Sequence, residues 1–229
     1  MTVYLLPDEP VFPNAREAEP DGLIAIGGDL NHERLLQAYS GGIFPWFIEA
    51  GEVYWFSPDP RLIMYPNQFR ISDSLKRTIR TGRFEVKFDT AFEAVINRCA
   101  EAPRPGQEGT WINADFINAY ISLYTHGFAH SVEVYQNQAL VGGLYGVSLG
   151  TAFFGESMFH KVKDASKVAF HALTERCKSY NFNFIDCQVE SQHLISLGAS
   201  LTARKDYLKM LELALKGKTF RGSWHQQTK

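Results

Sequence analysis

The feature that most restricts the fold is a run of three strand-like segments in the middle of the chain, over residues 131–136, 139–147 and 151–159. Their side chains alternate with a period of two, the period of a half-buried β-strand. Asn137-Gln138 and a short stretch ending in Leu149-Gly150 separate them, and such short connections join antiparallel neighbours. The sequence therefore predicts a three-stranded antiparallel meander at the centre of the fold.

The segments around the meander mix helices with strands. A helical period predicts helices over 72–80, 91–100, 114–126, 164–180, 191–197 and 206–216. Further strands are expected over 84–88, 182–189 and around Leu201, and 101–109 is expected to be a loop. Strands that pair locally and mix with helices are typical of the α+β class. We therefore predict that this main part of the chain has an α+β fold built on one mixed sheet.

The first 60 residues differ in character from the rest of the chain. They are acidic and rich in proline, glycine and aromatic residues. A short strand is predicted at Leu23–Ile26, followed by a short helix that is capped by Asp29 or Asn31, runs to about Tyr39 and is stopped by Gly41-Gly42. Turns and short strands of this kind suit a compact lobe better than a linker. We predict a small N-terminal domain over residues 1–61 and a larger domain over residues 62–229.

Several classes of protein are not expected from this composition. No stretch approaches the roughly 20 apolar residues of a membrane helix, and the first ten residues do not look like a secretory signal. The three cysteines, Cys99, Cys177 and Cys187, are widely spaced and form no C-x-x-C pair. Motifs for zinc, for a phosphate loop and for a serine nucleophile are missing from the sequence. We expect a cytoplasmic protein that binds no membrane and no metal.

Positive charge is concentrated in two segments although the net charge is −2. Residues 61–90 carry seven Lys or Arg against three acids, and residues 204–229 carry seven against two. Such clusters can bind phosphates, and the alternative is that they are solvated faces and a loose tail. The candidates for contacts with a nucleic-acid backbone are Lys76, Arg77, Arg80 and Arg83.

The predicted strand 182–189 carries an unusual pair of polar side chains. Alternation places Asp186 and Gln188 on one face, with Phe184, about 6.7 Å apart along the strand. A carboxylate and a carboxamide on a covered strand need partners or must open onto a cleft. A hydrogen-bonded structural pair and a catalytic pair are both consistent with this position.

Glu156 is the second unusual residue, because it lies among large apolar neighbours in the segment 152–159. Alternation places Phe154 and Met158 on its face. An acid in such surroundings must be paired or its pKa rises, so Glu156 is either satisfied by backbone amides or is the polar anchor of an apolar pocket. Trp46, Trp55 and Trp111 lie beside turn residues and can be core residues or rings that stack on a base.

Taken in order along the chain, these segments resemble the leucyl/phenylalanyl-tRNA–protein transferases over about residues 20–210. The matching segments are Gly22-Leu23, Gly27-Gly28-Asp29-Leu30, Gly41-Gly42-Ile43-Phe44-Pro45-Trp46, Trp55-Phe56-Ser57-Pro58-Asp59-Pro60-Arg61, Gly109-Thr110-Trp111-Ile112, His130-Ser131-Val132-Glu133, Val141-Gly142-Gly143-Leu144-Tyr145-Gly146-Val147, Phe154-Gly155-Glu156-Ser157-Met158-Phe159, Asp164-Ala165-Ser166-Lys167, Ile185-Asp186-Cys187-Gln188 and Ser196-Leu197-Gly198-Ala199. Phe56 stands where many members have a second Trp.

The resemblance implies a GNAT-like acyltransferase fold for the larger domain. It implies a donor that is Leu-, Phe- or, less well, Met-tRNA, and an acceptor protein with N-terminal Arg or Lys that is thereby marked for N-degron proteolysis. No cofactor is implied, and a monomer is expected. Roles carried over by position are catalysis for Asp186, Gln188 and Glu156, the aminoacyl pocket for Phe154, Ser157, Met158 and Phe170, and adenosine binding for Trp46 and Trp111.

The residues are compatible with this chemistry. An aminoacyl ester is already activated, so transfer to an amine needs alignment and a neutral amine rather than ATP or a metal. Asp186 is expected to accept a proton from the incoming amine, directly or through Gln188, and Gln188 to orient the amine or the tetrahedral centre. The tRNA is expected to be held by its phosphates without sequence readout.

Two other functions remain open at this point. One is an acyltransferase that uses acyl-CoA, although residues 160–166 lack the glycine-rich pyrophosphate loop that such enzymes need before a helix. The other is a non-catalytic tRNA or peptide binder, which would explain the basic segments and the aromatic residues but would leave Glu156, Asp186 and Gln188 without a purpose.

Overall fold

A computed structural model describes residues 3–103 and 111–225 and divides the strands between two sheets. The first sheet is antiparallel except for one parallel edge pair, and its strand order is β1-β2-β4-β3. Its strands are β1 (Tyr4–Leu5), β2 (Leu23–Ile26), β3 (Phe44–Glu49) and β4 (Glu52–Phe56). Helix α1 (His32–Ser40) lies between β2 and β3 and ends at Gly41, as predicted. Of the two predicted caps, Asp29 and Asn31, it is Asn31 whose side chain caps the helix.

The second sheet has seven strands in the order β11-β5-β10-β9-β8-β7-β6. Its strands are β5 (Arg61–Met64), β6 (Glu85–Phe88), β7 (Ala129–Gln136), β8 (Ala139–Leu149), β9 (Ala152–His160), β10 (Phe184–Asp186) and β11 (Ser200–Thr202). Only the β9–β10 pair is parallel in this sheet. The prediction of an α+β fold on one mixed sheet for the main part of the chain is therefore confirmed, and so is the meander, which is β7-β8-β9.

The remaining helices cover the two faces of the larger sheet. They are α2 (Asp73–Arg80), α3 (Phe92–Glu101), α4 (Ala114–Thr125), α5 (Ala165–Ser179), α6 (Gln192–Ser196) and α7 (Arg204–Leu215). One core cluster joins α1, α3, α4 and α7 to one face and to the small sheet, and a second joins α2, α5 and α6 to the other face. Within the described parts of the chain, no helix is long and apolar enough to cross a membrane.

The division into residues 1–61 and 62–229 stays a prediction. The small sheet ends at Phe56 and the large sheet takes its first strand from Arg61, yet one apolar cluster runs from Trp55 to Phe154 across both. The predicted loop over 101–109 lies mostly outside the described residues.

The strand predicted over 182–189 is much shorter than expected. It ends at Asp186, and Gln188 has a positive φ of 63°. The reason is local, because the Asp186 carboxylate accepts the backbone N–H of Gln188 at 2.8 Å and closes a turn. Asp186 and Gln188 therefore do not share one face of a strand, and this prediction was wrong.

Strict alternation also fails in β9. Tyr145 pairs with Ser157 and Gly146 pairs with Gly155, so Glu156 is the extra residue of a β-bulge. A side chain at Gly146 would collide with the Phe154 carbonyl oxygen, so the bulge needs glycine there. Beyond the bulge, each side chain of β9 lies on the sheet face opposite to the one that strict alternation predicts. Phe154 and Glu156 stay on the face of the first core cluster, and Met158 lies against the second. The prediction that all three share a face was therefore wrong.

The end of the described chain is not a loose tail. Trp224 is fully buried, and its ring stacks on His130 with centroids 3.9 Å apart. The backbone N–H of Trp224 donates to Asp89 at 2.7 Å, and the same carboxylate oxygen bonds the His130 ring at 2.8 Å. Residues after α7 thus return across the second core cluster and close it.

Candidate active site

A cavity of about 320 Å³ lies where β9 and β10 diverge. The two strands pair only from Ala152 to Phe154 and from Phe184 to Asp186, and the residues that follow on each line the cavity. Its lining residues are Phe44, Pro45, Trp46, Trp111, Leu144, Tyr145, Gly155, Glu156, Ser157, Met158, Phe170, Leu173, Cys187, Gln188, Val189, Ser191, His193 and Leu194. The walls are mostly apolar, and the bulge in β9 and the turn after β10 bring Glu156 and Gln188 to the same space.

Glu156 is the polar centre of this cavity. Its Oε1 accepts from Tyr39 Oη at 2.7 Å and from Gln188 Nε2 at 2.8 Å, and its Oε2 accepts from Tyr120 Oη at 2.7 Å. Burial raises its pKa to about 7, against the opposing effect of the hydrogen bonds from Tyr39 and Tyr120. The carboxyl is therefore poised to gain or lose a proton near neutral pH.

The two tyrosines come from distant parts of the chain. Tyr39 lies on α1, Tyr120 lies on α4, and their hydroxyl oxygens are 2.6 Å apart. Burial and the Glu156 charge raise the pKa of each well above its usual value, so both stay protonated and donate. Neither was singled out from the sequence, because both occupy ordinary apolar stripes of their helices.

Gln188 is held by its own backbone as well as by its side chain. The turn closed by Asp186 fixes its left-handed conformation, and Nε2 donates to Glu156. The side chain is 8 % exposed and lines the cavity. Within residues 3–103 and 111–225 its carbonyl oxygen Oε1 accepts no hydrogen bond, so it can receive an N–H from a ligand.

Asp186 lies behind the cavity rather than in its wall. It is fully buried, and its carboxylate accepts from Arg61 Nε at 2.9 Å, from Arg61 Nη2 at 2.7 Å and from Tyr207 Oη at 2.8 Å. Burial has the largest single effect on the pKa of Arg61 and lowers it, but the charge and hydrogen bonds of Asp186, together with Tyr207 and Glu156, outweigh burial and raise this pKa. Asp186 is not among the residues that line the cavity, and both of its oxygens already accept hydrogen bonds. Direct transfer of a proton to Asp186 from a substrate bound in the cavity does not fit this arrangement.

The predicted aminoacyl pocket is divided in the structure. Ser157, Met158 and Phe170 line the cavity, the last from α5. Phe154 does not line it, since its ring is fully buried and packs against Tyr39 with centroids 5.0 Å apart. It supports the tyrosine that bonds Glu156 instead of touching a ligand.

The tryptophans also separate into two groups. Trp46 and Trp111 are half-buried and line the cavity. Their rings rest edge-on against Phe56 and Phe116, with centroids 4.9 and 5.2 Å apart. Trp55 is fully buried and donates Nε1–H to the Gly27 carbonyl oxygen at 2.9 Å, so it is a core residue.

The four predicted backbone-binding cations are exposed on and just after α2. They are Lys76, Arg77, Arg80 and Arg83. The first three share a groove with His171 of α5, whose neighbour Phe170 lines the cavity. The cationic groove and the cavity therefore lie on adjacent sides of the same helix.

The residues before α5 do not form a phosphate cradle of the kind that acyl-CoA enzymes use. Asp164 precedes the helix in a left-handed conformation, and its Oδ1 lies 3.6 Å from Lys167 Nζ. An acid at a helix N-terminus repels a pyrophosphate. Among the described residues, no group of three or more His, Cys, Asp or Glu side chains is arranged to hold a metal ion.

Family models match both parts of the chain. Residues 63–212 match the model described as leucyl/phenylalanyl-tRNA protein transferase, and residues 28–59 match the N-terminal domain of the same family. The leucyl/phenylalanyl-tRNA–protein transferase of Anaeromyxobacter dehalogenans strain 2CP-C is 52% identical over 98% of this chain and 96% of its own length. The protein of the same name from Myxococcus xanthus strain DK1622 is 50% identical over 98% and 97%.

Solved structures give a more distant likeness. A GCN5-related N-acetyltransferase from Kribbella flavida is 9% identical with a TM-score of 0.41, covering 73% of this chain and 60% of that one. L-PGS from Bacillus licheniformis is 10% identical with a TM-score of 0.36, covering 89% and 69%.

Proposed function

Because the chain belongs to the leucyl/phenylalanyl-tRNA–protein transferase family, we propose that it moves leucine or phenylalanine, and methionine less well, from aminoacyl-tRNA to N-terminal arginine or lysine of an acceptor protein. The proposed product is a protein marked for N-degron proteolysis. The enzyme is an aminoacyltransferase, and we propose that it works as a cytoplasmic monomer without metal or organic cofactor.

The observation that carries the proposal is the composition of one cavity. It combines an apolar wall, two half-buried tryptophans, a buried carboxylate and a carboxamide whose carbonyl oxygen accepts no hydrogen bond from the described residues. Its volume of about 320 Å³ lies at the small end of ligand pockets, roughly 300–1,000 Å³, which suits an amino acid and part of a nucleoside.

The donor's side chain is assigned to the apolar wall. Leu144, Met158, Phe170 and Leu173 converge there, and the flexible thioether of Met158 can adapt to leucine, phenylalanine or methionine. Side chains branched at Cβ should be disfavoured, because they place bulk next to the ester carbon. Ser157 is assigned to the same subsite as a polar edge.

The terminal adenosine is assigned to Trp46 and Trp111. Each ring has one edge fixed by a buried aromatic neighbour and remains half-exposed at the cavity. Stacking on a base contributes roughly 1–3 kcal/mol per aromatic ring. The exposed cations of α2 are assigned to phosphates of the tRNA, which gives affinity without sequence readout.

The contribution assigned to the protein is to align the amine of the acceptor with the ester of the donor. An N-terminal amine has a pKa of about 7.7–8.0, so near pH 8 about half of it is neutral and no strong base is needed. Gln188 Oε1 accepts an N–H of that amine and points its lone pair at the ester carbonyl carbon. Such positioning can remove several kcal/mol of the barrier. The ribose oxygen leaves and takes up the proton that the amine releases.

Asp186 acts in this scheme as a positioning residue. It closes the turn that sets the backbone of Gln188, and Arg61 and Tyr207 keep its carboxylate in place. Its removal is expected to slow transfer through misplaced Gln188 rather than through loss of a base.

A transfer assay tests the function. Purified protein is mixed with radiolabelled Phe-tRNA and with peptides that differ only in their first residue, which is Arg, Lys, Ala or Leu. Label in the Arg and Lys peptides alone is the expected result. Label in every peptide would refute the acceptor specificity, and label in none, with Phe-tRNA still bound, would leave a tRNA-binding protein.

A further inference from the structure

We infer that the acceptor protein binds as an extended strand along the open edge of β9, in the place that β10 leaves after Asp186, and that it is held there through its backbone. The partner is an unfolded N-terminal segment that adds one strand to the sheet. The inference rests on the proposed function, and it adds how the enzyme holds the residues that follow the first residue of the acceptor.

The edge of β9 that faces β10 is paired along only part of its length. β10 runs parallel to β9 and pairs with it over residues 152–154, whereas β8 pairs with the opposite edge as far as His160. Beyond Phe154, no strand among the described residues pairs with the edge that faces β10. A strand that loses one neighbour halfway presents backbone N–H and C=O groups with which another chain can pair.

The register with β8 determines which backbone groups point to the open side. Lys161 donates its backbone N–H to the Val141 carbonyl oxygen at 2.7 Å, and hydrogen-bonded pairs alternate with unbonded pairs in an antiparallel ladder. Phe159 therefore bonds β8, whereas the N–H and C=O groups of Met158 and His160 point away from it. Within residues 3–103 and 111–225 these groups have no backbone partner on that side.

These two residues lead from the surface to the candidate active site. His160 is exposed at the end of β9, and Met158 is half-buried and lines the cavity. They lie about 6.7 Å apart, the two-residue repeat of a strand. Two residues further in is Glu156, which accepts from Gln188 Nε2 at 2.8 Å. The amine of a chain that pairs with both Met158 and His160 therefore arrives at Gln188, and only its first residue needs to enter the cavity.

The position of the amine fixes the direction of the bound chain. With its amine at Gln188, the acceptor runs outward from the level of Glu156 to His160, which is the direction of β9 itself and of β10. Parallel pairing makes every second residue of the acceptor offer both its N–H and its C=O to β9. One such residue bonds the C=O of Met158 and the N–H of His160, and the residues on either side of it point their backbone groups away.

Recognition through the backbone suits the acceptor rather than the donor. In the proposed reaction the acceptor proteins share only their first residue, and the backbone is what all following sequences have in common. The donor is a single amino acid ester, whose side chain is assigned to the apolar wall and whose adenosine is assigned to the tryptophans. The open edge lies apart from the apolar wall, since backbone groups lie in the plane of a sheet and side chains stand off its faces.

The test uses peptides that begin with Arg and carry a backbone ester in place of one amide, at residue 2, 3, 4 or 5, with an ester at residue 10 as the control. An ester keeps the shape of the chain and removes one N–H donor. The KM for transfer from Phe-tRNA and the Kd of each peptide alone are measured. Both should rise about 2- to 10-fold at alternate positions, either 2 and 4 or 3 and 5, and stay at the control value at the other two. Equal values at all four positions would overturn the inference.

His160→Pro tests the same contact from the side of the enzyme. Proline has no N–H, and at this position it removes a donor from the open edge without breaking the ladder to β8. His160→Ala loses the same side chain, keeps the N–H and serves as the matched control. The KM for the Arg peptide should be about 2- to 10-fold higher in His160→Pro than in His160→Ala, with similar thermal melts.

The outcomes separate the inference from the proposed function. An unchanged KM in a folded His160→Pro would overturn the inference, and if that variant does not fold, the ester series decides alone. No label in the Arg peptide that lacks an ester would refute the proposed function, and alternation in Kd along the ester series would then still support the inference.

Discussion

Replacing Glu156 by glutamine should make the protein more stable at pH 8 than the wild type, although it removes a group from the cavity. The side chain keeps its shape and loses its charge. In the wild type, burial shifts the pKa of Glu156 from 4.5 to about 7, so the folded state holds this proton more tightly than the unfolded state does. That contribution to stability is complete below the unfolded pKa and is lost as pH rises through the folded pKa.

The magnitude follows from the size of the shift. A rise of about 2.5 units, at about 1.36 kcal/mol per unit, corresponds to roughly 3 kcal/mol, most of it lost between pH 5 and pH 8. Glutamine cannot lose a proton, so it keeps the stability of the protonated carboxyl at both pH values. For a chain of this length, about 2–4 °C of melting temperature accompany each kcal/mol.

Thermal melts of both proteins at pH 5 and pH 8 measure the effect. The melting temperature of Glu156→Gln relative to the wild type should be about 5–10 °C higher at pH 8 than at pH 5. The effects of the other titrating groups on the melting temperature cancel in this difference, since both proteins contain those groups. The same difference at both pH values would show that Glu156 titrates at an ordinary pKa, and would refute the account of its burial.

Three further predictions follow from other contacts. Asp186→Ala leaves Arg61 buried without its partner and should lower the free energy of unfolding by about 3–5 kcal/mol, whereas adding Arg61→Met should restore much of it; equal melting temperatures for the single and double variants would contradict this. Trp224→Ala should cost about 3–5 kcal/mol because the ring fills the second core cluster, and an unchanged thermal melt would show that the end of the chain is not docked. Removing one cation on or just after α2 should reduce the slope of log affinity for tRNA against log salt concentration by about 0.7–0.9, and an unchanged slope would place the tRNA elsewhere. The cations to replace one at a time are Lys76, Arg77, Arg80 and Arg83.

Elements with a regular period were predictable from the sequence. The meander, the α1 helix with its Asn31 cap and the short strand at Leu23–Ile26 appear where the local pattern places them. These elements depend on neighbouring residues only, so the sequence carries their signal directly.

The irregular positions were not predictable, although they shape the cavity. The bulge at Glu156 and the turn closed by Asp186 each break the alternation from which the faces were inferred. Both depend on contacts that no period records. A bulge needs a close approach at Gly146 on the neighbouring strand, and a turn needs a side chain folded back on its own backbone.

The partners of the site residues are also distant in the chain. Tyr39 and Glu156 are 117 residues apart, and Arg61 and Asp186 are 125 apart. Tyrosines at core positions of helices look like any other core residue until the fold brings their hydroxyls together. Glu156 and Gln188 could be found because a polar group among apolar residues is itself a signal.

Single-turnover transfer by Gln188→Ala measures whether the amine of the acceptor meets the ester of the donor beside Gln188. Preformed complexes with Phe-tRNA are mixed with an excess of a peptide that starts with Arg, and Gln192→Ala, an exposed glutamine of α6, serves as the control. We expect a rate about 100-fold lower for Gln188→Ala, with nearly unchanged Phe-tRNA affinity and a normal rate in the control. A Gln188→Ala rate equal to that of the wild type would contradict it, and would place the chemistry outside the cavity between β9 and β10.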